Sequence, residues 1–239
     1  MFKALNAYGA MNAKVRAMYG KLMTESEWHA VMNLKEAPPG FSAETVRAKL
    51  KDEYERLCKF ASREDKKFLS LFPPDAQNNS YYIEAFSYLK KRYNGLDKKR
   101  LISFIGAEAD LLNIIHLLRM VKSFPMSLRS GDYDRYLIPV GESLTKQFIN
   151  ELRAAASFED AVDILKRSKW SRYFNTISSR NFEREYERFM EKFCKKLIYN
   201  PVPNAGMPHA YLLLKKLECE RLIRTMEAIR SGVNPAAVL

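Results

Sequence analysis

The chain has 239 residues, enough for one large domain or two small ones with a substantial core. Its 47% apolar and 12% aromatic content excludes wholesale disorder, and only nine glycines and ten prolines favour an all-α fold. A net charge of +12 and a pI near 9.5 suit anionic company, whether nucleic acid, anionic lipid or an acidic protein, and charge alone does not choose among them. Much of the excess is dispersed, as in LKKRYNGLDKKR and EKFCKKL, which also fits a solvated surface.

Taken in order, YGAMNAKVRAMYGKL places Tyr8, Met11, Val15, Met18 and Leu22 on one helical face. Thr24 and Glu27 form a Thr-x-x-Glu capping box, so a second helix is expected there, and APPG at 37–40 stops it. From Ser42, a helical stretch turns Val46, Leu50, Tyr54, Leu57 and Phe60 inward, and FPPDAQNNS ends it as a loop. Residues 81–94 are expected to be helical, as is the apolar segment 97–123 containing EADLLNIIHLLRMVK. A long loop from Pro125 follows, with an apolar patch at Tyr136–Val140. Helical segments then begin near 143, at Ser157 with a weaker Ser-x-x-Asp box, at NFEREYERF and after PVPNAGMP, with a stop at Gly232 and Pro235.

The segment 108–122 has acids first and bases last, and Asn113 and His116 stand in its middle. It is echoed at the end of the chain. Setting Asp110 on Glu218 also sets Ile114 on Leu222, Ile115 on Ile223, Leu118 on Met226 and Val121 on Ile229. His116 then falls on Arg224, and Lys122 on Arg230. Acids early and bases late complement the helix macrodipole, so part of the likeness is generic. Duplication of a helical bundle is the sharper interpretation, giving an N-terminal bundle over 1–125 and a C-terminal bundle over 126–239.

Catalytic signatures are sparse. His29, His116 and His209 are widely separated, without HExxH, and no phosphate loop, GxGxxG or GxSxG occurs. A triad assembled from distant segments stays open, because triads are defined by geometry. Asn113 and His116 are expected at a helix interface, where a polar group must find partners and thereby sets register. Cys58, Cys194 and Cys219 form no CxxC pair, which argues against a zinc or disulfide framework and suits a reducing cytoplasm. The N-terminal stretch lacks the apolar core of a secretory signal. No stretch is judged to reach the roughly 20 apolar residues of a spanning helix, so a soluble chain is expected. For nucleic acid the best candidate is YLKKRYNGLDKKR, which interleaves Tyr88 and Tyr93 with bases, although at helical spacing those tyrosines are expected to face the core.

Four stretches in order carry a family resemblance. YGAMNAKVRAMYGKLMTESEW, EADLLNIIHLLRMVK, YLIPVGESLT with SFEDAVDILKRSKW, and NPVPNAGMPHAYLLLKKLECERLIRTMEAI are together similar to the C subunit of A/V-type rotary ATPases, the counterpart of subunit d in the eukaryotic vacuolar enzyme. Val140 and Arg221 depart from the family pattern, where glycine and asparagine are usual. Only two copies of the repeated helix are found against the usual three bundles, and the APPG region lacks an expected helix pair. The resemblance implies a short, duplicated, compact or funnel-like helical member without cofactor or catalytic site. It implies a central-stalk subunit at the cytoplasmic face, coupling the shaft of the ATPase head to the membrane proteolipid ring for proton or sodium transport. Its partners would be shaft subunits, the ring and the membrane surface, with no nucleic acid. Arg119, Lys122, Arg224 and Arg230, bases on the twin helices, are the expected partner contacts. The alternative is a basic helical module for nucleic acid or anionic membrane.

Overall fold

A computed structural model describes residues 2–71, 79–124, 132–174, 176–179 and 181–237. The described residues contain ten α-helices and no strand, the expected all-α class. They are α1 (Phe2–Tyr19), α2 (Glu25–Met32), α3 (Ala43–Cys58), α4 (Arg63–Leu69), α5 (Asn79–Arg92), α6 (Gly95–Ser123), α7 (Lys146–Arg153), α8 (Phe158–Arg167), α9 (Phe182–Ile198) and α10 (Gly206–Arg230). The loops expected at 72–80 and from Pro125 fall largely outside the described residues.

Local chemistry caps half of the helix starts. The Thr24 hydroxyl accepts from Glu27 N at 3.3 Å while Thr24 N donates to Glu27 Oε2 at 2.7 Å, so both halves of the capping box are present. Ser42 and Ser157 accept from Thr45 N and Asp160 N, each at 3.1 Å. Thr145 caps α7 in the same way, accepting from Phe148 N at 3.2 Å. α10 begins inside PVPNAGMP, earlier than expected. Pro208 lies in its first turn, where the missing N–H has no intrahelical partner to lose, and Asn204 Oδ1 accepts from Gly206 N at 3.0 Å. At its other end Gly232 takes φ 68°, and Gly232 N and Val233 N return to the Ile229 and Ala228 carbonyls, a Schellman stop.

The helix expected to run unbroken from Ser42 to FPPDAQNNS divides in two. Ser62 Oγ accepts from Asp65 N at 3.1 Å and donates to Asp65 Oδ2 at 2.6 Å, a new N-cap that restarts the chain as α4. Phe60 therefore falls in the connection and is 46% exposed, while Val46, Leu50 and Leu57 are buried as expected.

The expectation that no segment could cross a membrane is corrected by α6. At 29 residues it is long and apolar enough, by length and composition. However, 78% of the qualifying window is buried inside the protein, and most of its apolar residues from Leu101 to Val121 form core.

Two compact units make up the chain, 1–76 with 193–239 and 77–192. In the first, α10 packs on α1 and α3, and α4 packs on α3. In the second, α6 packs on α5, α7 and α8. These units are interleaved in sequence. The cause is that α10 takes α1 and α3 from the other end of the chain, while α6 takes partners that precede and follow it.

Candidate functional site

Asp110, Asn113 and His116 stand at three-residue steps on α6, so they form one polar stripe. The first two hold the segment 136–145, here termed the strap. Asn113 Nδ2 donates to the Ile138 carbonyl at 2.9 Å, and Ile138 N donates to Asn113 Oδ1 at 2.7 Å. Asp110 Oδ2 accepts from Glu142 N at 3.1 Å, Ser143 N at 2.6 Å and Leu144 N at 3.1 Å. His116 lies near the Tyr136 backbone, and its buried Nδ1 has no hydrogen-bond partner among the described residues. From outside the stripe, Ser103 Oγ donates to Glu142 Oε2 at 2.9 Å and Lys169 Nζ to the Ser143 carbonyl at 2.6 Å.

Only glycine fits where the strap crosses the stripe. A Cβ on Gly141 would lie 2.0 Å from Asp110 Oδ1, and one on Gly106 would lie 2.9 Å from Glu142 Cβ. Val140, the departure from the family turn, is accommodated half-buried, so the requirement for glycine falls one residue later. Burial pushes the Asp110 carboxyl above its ordinary 3.8, the strap amides pull it back, and the Glu142 charge adds to the rise. The strap and α7 bound a cavity of about 570 Å³, and Asp110 and Asn113 lie in its wall with Lys146 and Ile149. Their hydrogen-bonding groups at that wall are largely used on backbone, which makes the stripe a clamp.

The echoed helix does the same work. Glu218 Oε2 accepts from Met23 N at 2.7 Å, one residue before the Thr24 cap, as Asp110 accepts from Leu144 N one residue before the Thr145 cap. Arg221, in register with Asn113, places its guanidinium 4.3 Å from the Trp28 ring centroid in α2. The correspondence extends beyond the twin helices to what each one holds, an acid fixing the amide ahead of a threonine-capped helix. A further clamp was not foreseen. Buried Asn12 on α1 donates to the Asn204 carbonyl at 3.1 Å and accepts from Asn204 N at 2.7 Å. Its signal is an asparagine inside the apolar stripe, between Met11 and Val15.

The histidines do not assemble. His29 is exposed on α2, and His116 lies in the other unit from His29 and His209. Burial, with the nearby Arg119 charge, lowers His116 against the opposing influence of the Tyr136 backbone. His209 is 1% exposed, its ring 4.2 Å from that of Phe68, and burial takes it down to about 3 from 6.5. The unfolded chain therefore binds a proton that folded His209 refuses, so this contribution to stability is present above pH 6.5 and lost as the pH falls toward 3. Acidification to about pH 5 is expected to cost on the order of 2 kcal/mol through this group. Urea midpoints at the two pH values measure it, and His209→Phe should flatten the slope; an unaltered slope would remove His209 as its source. Among the described residues, no group of three His, Cys, Asp or Glu could hold a metal ion.

The expected contact residues are placed as follows. Arg119 and Lys122 lie three apart on α6, both exposed, and Lys122 Nζ donates to the Ser179 carbonyl at 2.8 Å and lies 5.6 Å from the Phe182 ring centroid. Arg224 on α10 is half-buried, and exposed Arg230 donates to the Phe41 carbonyl with its guanidinium 5.2 Å from that ring centroid. Lys122 and Arg230, the echoed pair, thus both anchor a carbonyl and an aromatic ring of their own unit. In the basic stretch proposed for nucleic acid, Tyr93 is 6% exposed and Tyr88 half-buried, with their rings 6.4 Å apart.

No curated protein matches the chain. The family described as ATP synthase (C/AC39) subunit matches residues 74–238, a span that takes in α5 to α10 and leaves out α1 to α4 with the opening YGAMNAKVR stretch. With a match over most of its length, the chain belongs to the ATP synthase (C/AC39) subunit family.

Proposed function

We propose that the chain is a non-catalytic central-stalk subunit of a V/A-type rotary ATPase, peripheral at the cytoplasmic face of the membrane. In this role it links the shaft of the ATPase head to the proteolipid ring and passes torque between them during proton or sodium transport. The observation that carries the proposal is the family match over α5 to α10. The clamps add support, since Asp110, Asn113, Glu218 and Asn12 are committed to fixing backbone, as a torque-bearing part requires. Exposed Arg119, Lys122 and Arg230, with half-buried Arg224, carry partner contacts in this proposal. A nucleic-acid module is less well supported because Tyr93 is buried and cannot serve as a stacking platform.

The test is affinity capture of the tagged full chain from its native membranes in mild detergent. Shaft subunits and proteolipid are expected to co-purify in fixed proportion. Capture of the folded chain with neither would overturn the proposal.

A further inference from the structure

The turn between α5 and α6 concentrates charge. Lys90, Lys91, Arg92, Lys98, Lys99 and Arg100 lie around it with Asp97 as the only acid. Gly95 takes φ 59° to make the turn, and Lys98 Nζ donates to the Lys90 carbonyl at 2.8 Å, closing the two helix ends on each other. At the tip Leu96 is 69% exposed, more than any other large apolar side chain among the described residues. No ion pair or hydrogen bond among the described residues engages the head groups of Lys91, Arg92, Lys99 or Arg100.

Helix stability accounts for only half of this charge. Bases in the last turn of α5 complement its dipole, whereas Lys98, Lys99 and Arg100 come after the first turn of α6, where the dipole gives no reason for them. A tip that gathers unpaired cations beyond what helix preference explains, around an exposed aliphatic side chain, matches a surface with anionic groups above an apolar layer. The same tip is poorly suited to single-stranded nucleic acid, whose bases need open aromatic faces, because Tyr93 is buried and Tyr88 is half-buried beside it.

We propose that this hairpin tip binds the anionic headgroups of a lipid bilayer, with Lys91, Arg92, Lys99 and Arg100 on phosphates and Leu96 entering the interface. The proposal deepens the membrane-peripheral part of the role above and rests on that role only for its setting. Each basic residue near anionic lipid is worth a factor of about five in binding.

The full chain would be sedimented with phosphatidylcholine vesicles with and without phosphatidylserine, at low and high salt. Binding is expected only with phosphatidylserine and is expected to weaken with salt. The combined variant Lys91→Gln, Arg92→Gln, Lys99→Gln, Arg100→Gln should bind about a hundredfold or more weaker, and Leu96→Ser about fivefold weaker. A control with the same loss of charge elsewhere, Lys49→Gln, Lys51→Gln, Lys66→Gln, Lys67→Gln, should bind as the parent does. Circular dichroism checks that each variant is folded. Equal losses in the two quadruple variants, no binding by the parent, or tighter hairpin-dependent binding to single-stranded RNA than to vesicles would each overturn the proposal. None of these results touches co-purification with rotary partners, so the two proposals fail separately.

Discussion

Replacing Asp110 by alanine is expected to lower the unfolding free energy by about 3 kcal/mol. The carboxylate is the acceptor for three successive amides, Glu142 N, Ser143 N and Leu144 N. Alanine leaves all three without it, and a donor stripped of its partner costs about 1–3 kcal/mol, with the low end fitting amides that are only part-buried. Losing these bonds also frees the residues ahead of Thr145, whose hydroxyl caps α7. Asp110→Asn separates the acceptor from the charge. Its amide oxygen can still accept from the strap, and burying a neutral group removes a desolvation penalty, so a cost below about 1 kcal/mol is expected. Urea unfolding followed by circular dichroism measures both variants. Equal losses would mean that charge rather than hydrogen bonding holds the strap, contrary to the geometry.

Gly141→Ala should cost about 2–3 kcal/mol, although Gly141 is exposed and has no left-handed φ that would require glycine. An exposed glycine with ordinary backbone is commonly stabilised by alanine, by about 0.4–1 kcal/mol, because the unfolded chain loses freedom. Here the added methyl would sit 2.0 Å from Asp110 Oδ1 and 3.1 Å from Cγ. Either the carboxylate or the strap must move, and the bonds to 142–144 move with it. The contact makes a sharper claim about the pair. In an Asp110→Ala background the obstructing oxygen is absent, so the second substitution should be nearly neutral and the two effects strongly non-additive. Additive losses in a double-mutant cycle would show that Gly141 matters for some reason other than its approach to Asp110.

These two positions show where sequence alone stops. The charge of Asp110 near the middle of an acid-to-base helix has an adequate generic explanation in the helix dipole. Asn113 was expected to need partners at an interface, and it has them, but nothing in its neighbours names Ile138. The echo between 110–122 and 218–230 was legible as a pattern of types. That its acids hold the amide before a capped helix in both copies became visible only when Met23 met Glu218, 195 residues away in the chain. Ser62 is a different kind of miss. Its Ser-x-x-Asp spacing repeats that of Ser157, yet the continuous run of charged residues around it reads as one helix.

What the sequence determined by itself is the helical class, the faces that Met11, Val15 and Met18 or Val46, Leu50 and Leu57 bury, and the starts at Thr24, Ser42 and Ser157. These rest on periodicity and on bonds spanning about four residues, so the information is local. Tertiary structure decided which segments pair. It joined α10 to α1 and α3 across the length of the chain, set α6 inside a unit built from both sides of residue 125, and turned a helix apolar enough for a membrane into core. It also decided that the polar residues of that helix clamp a strap. The reason is physical: a buried amide or carboxylate must be satisfied, but sequence states only the need, and packing supplies the partner.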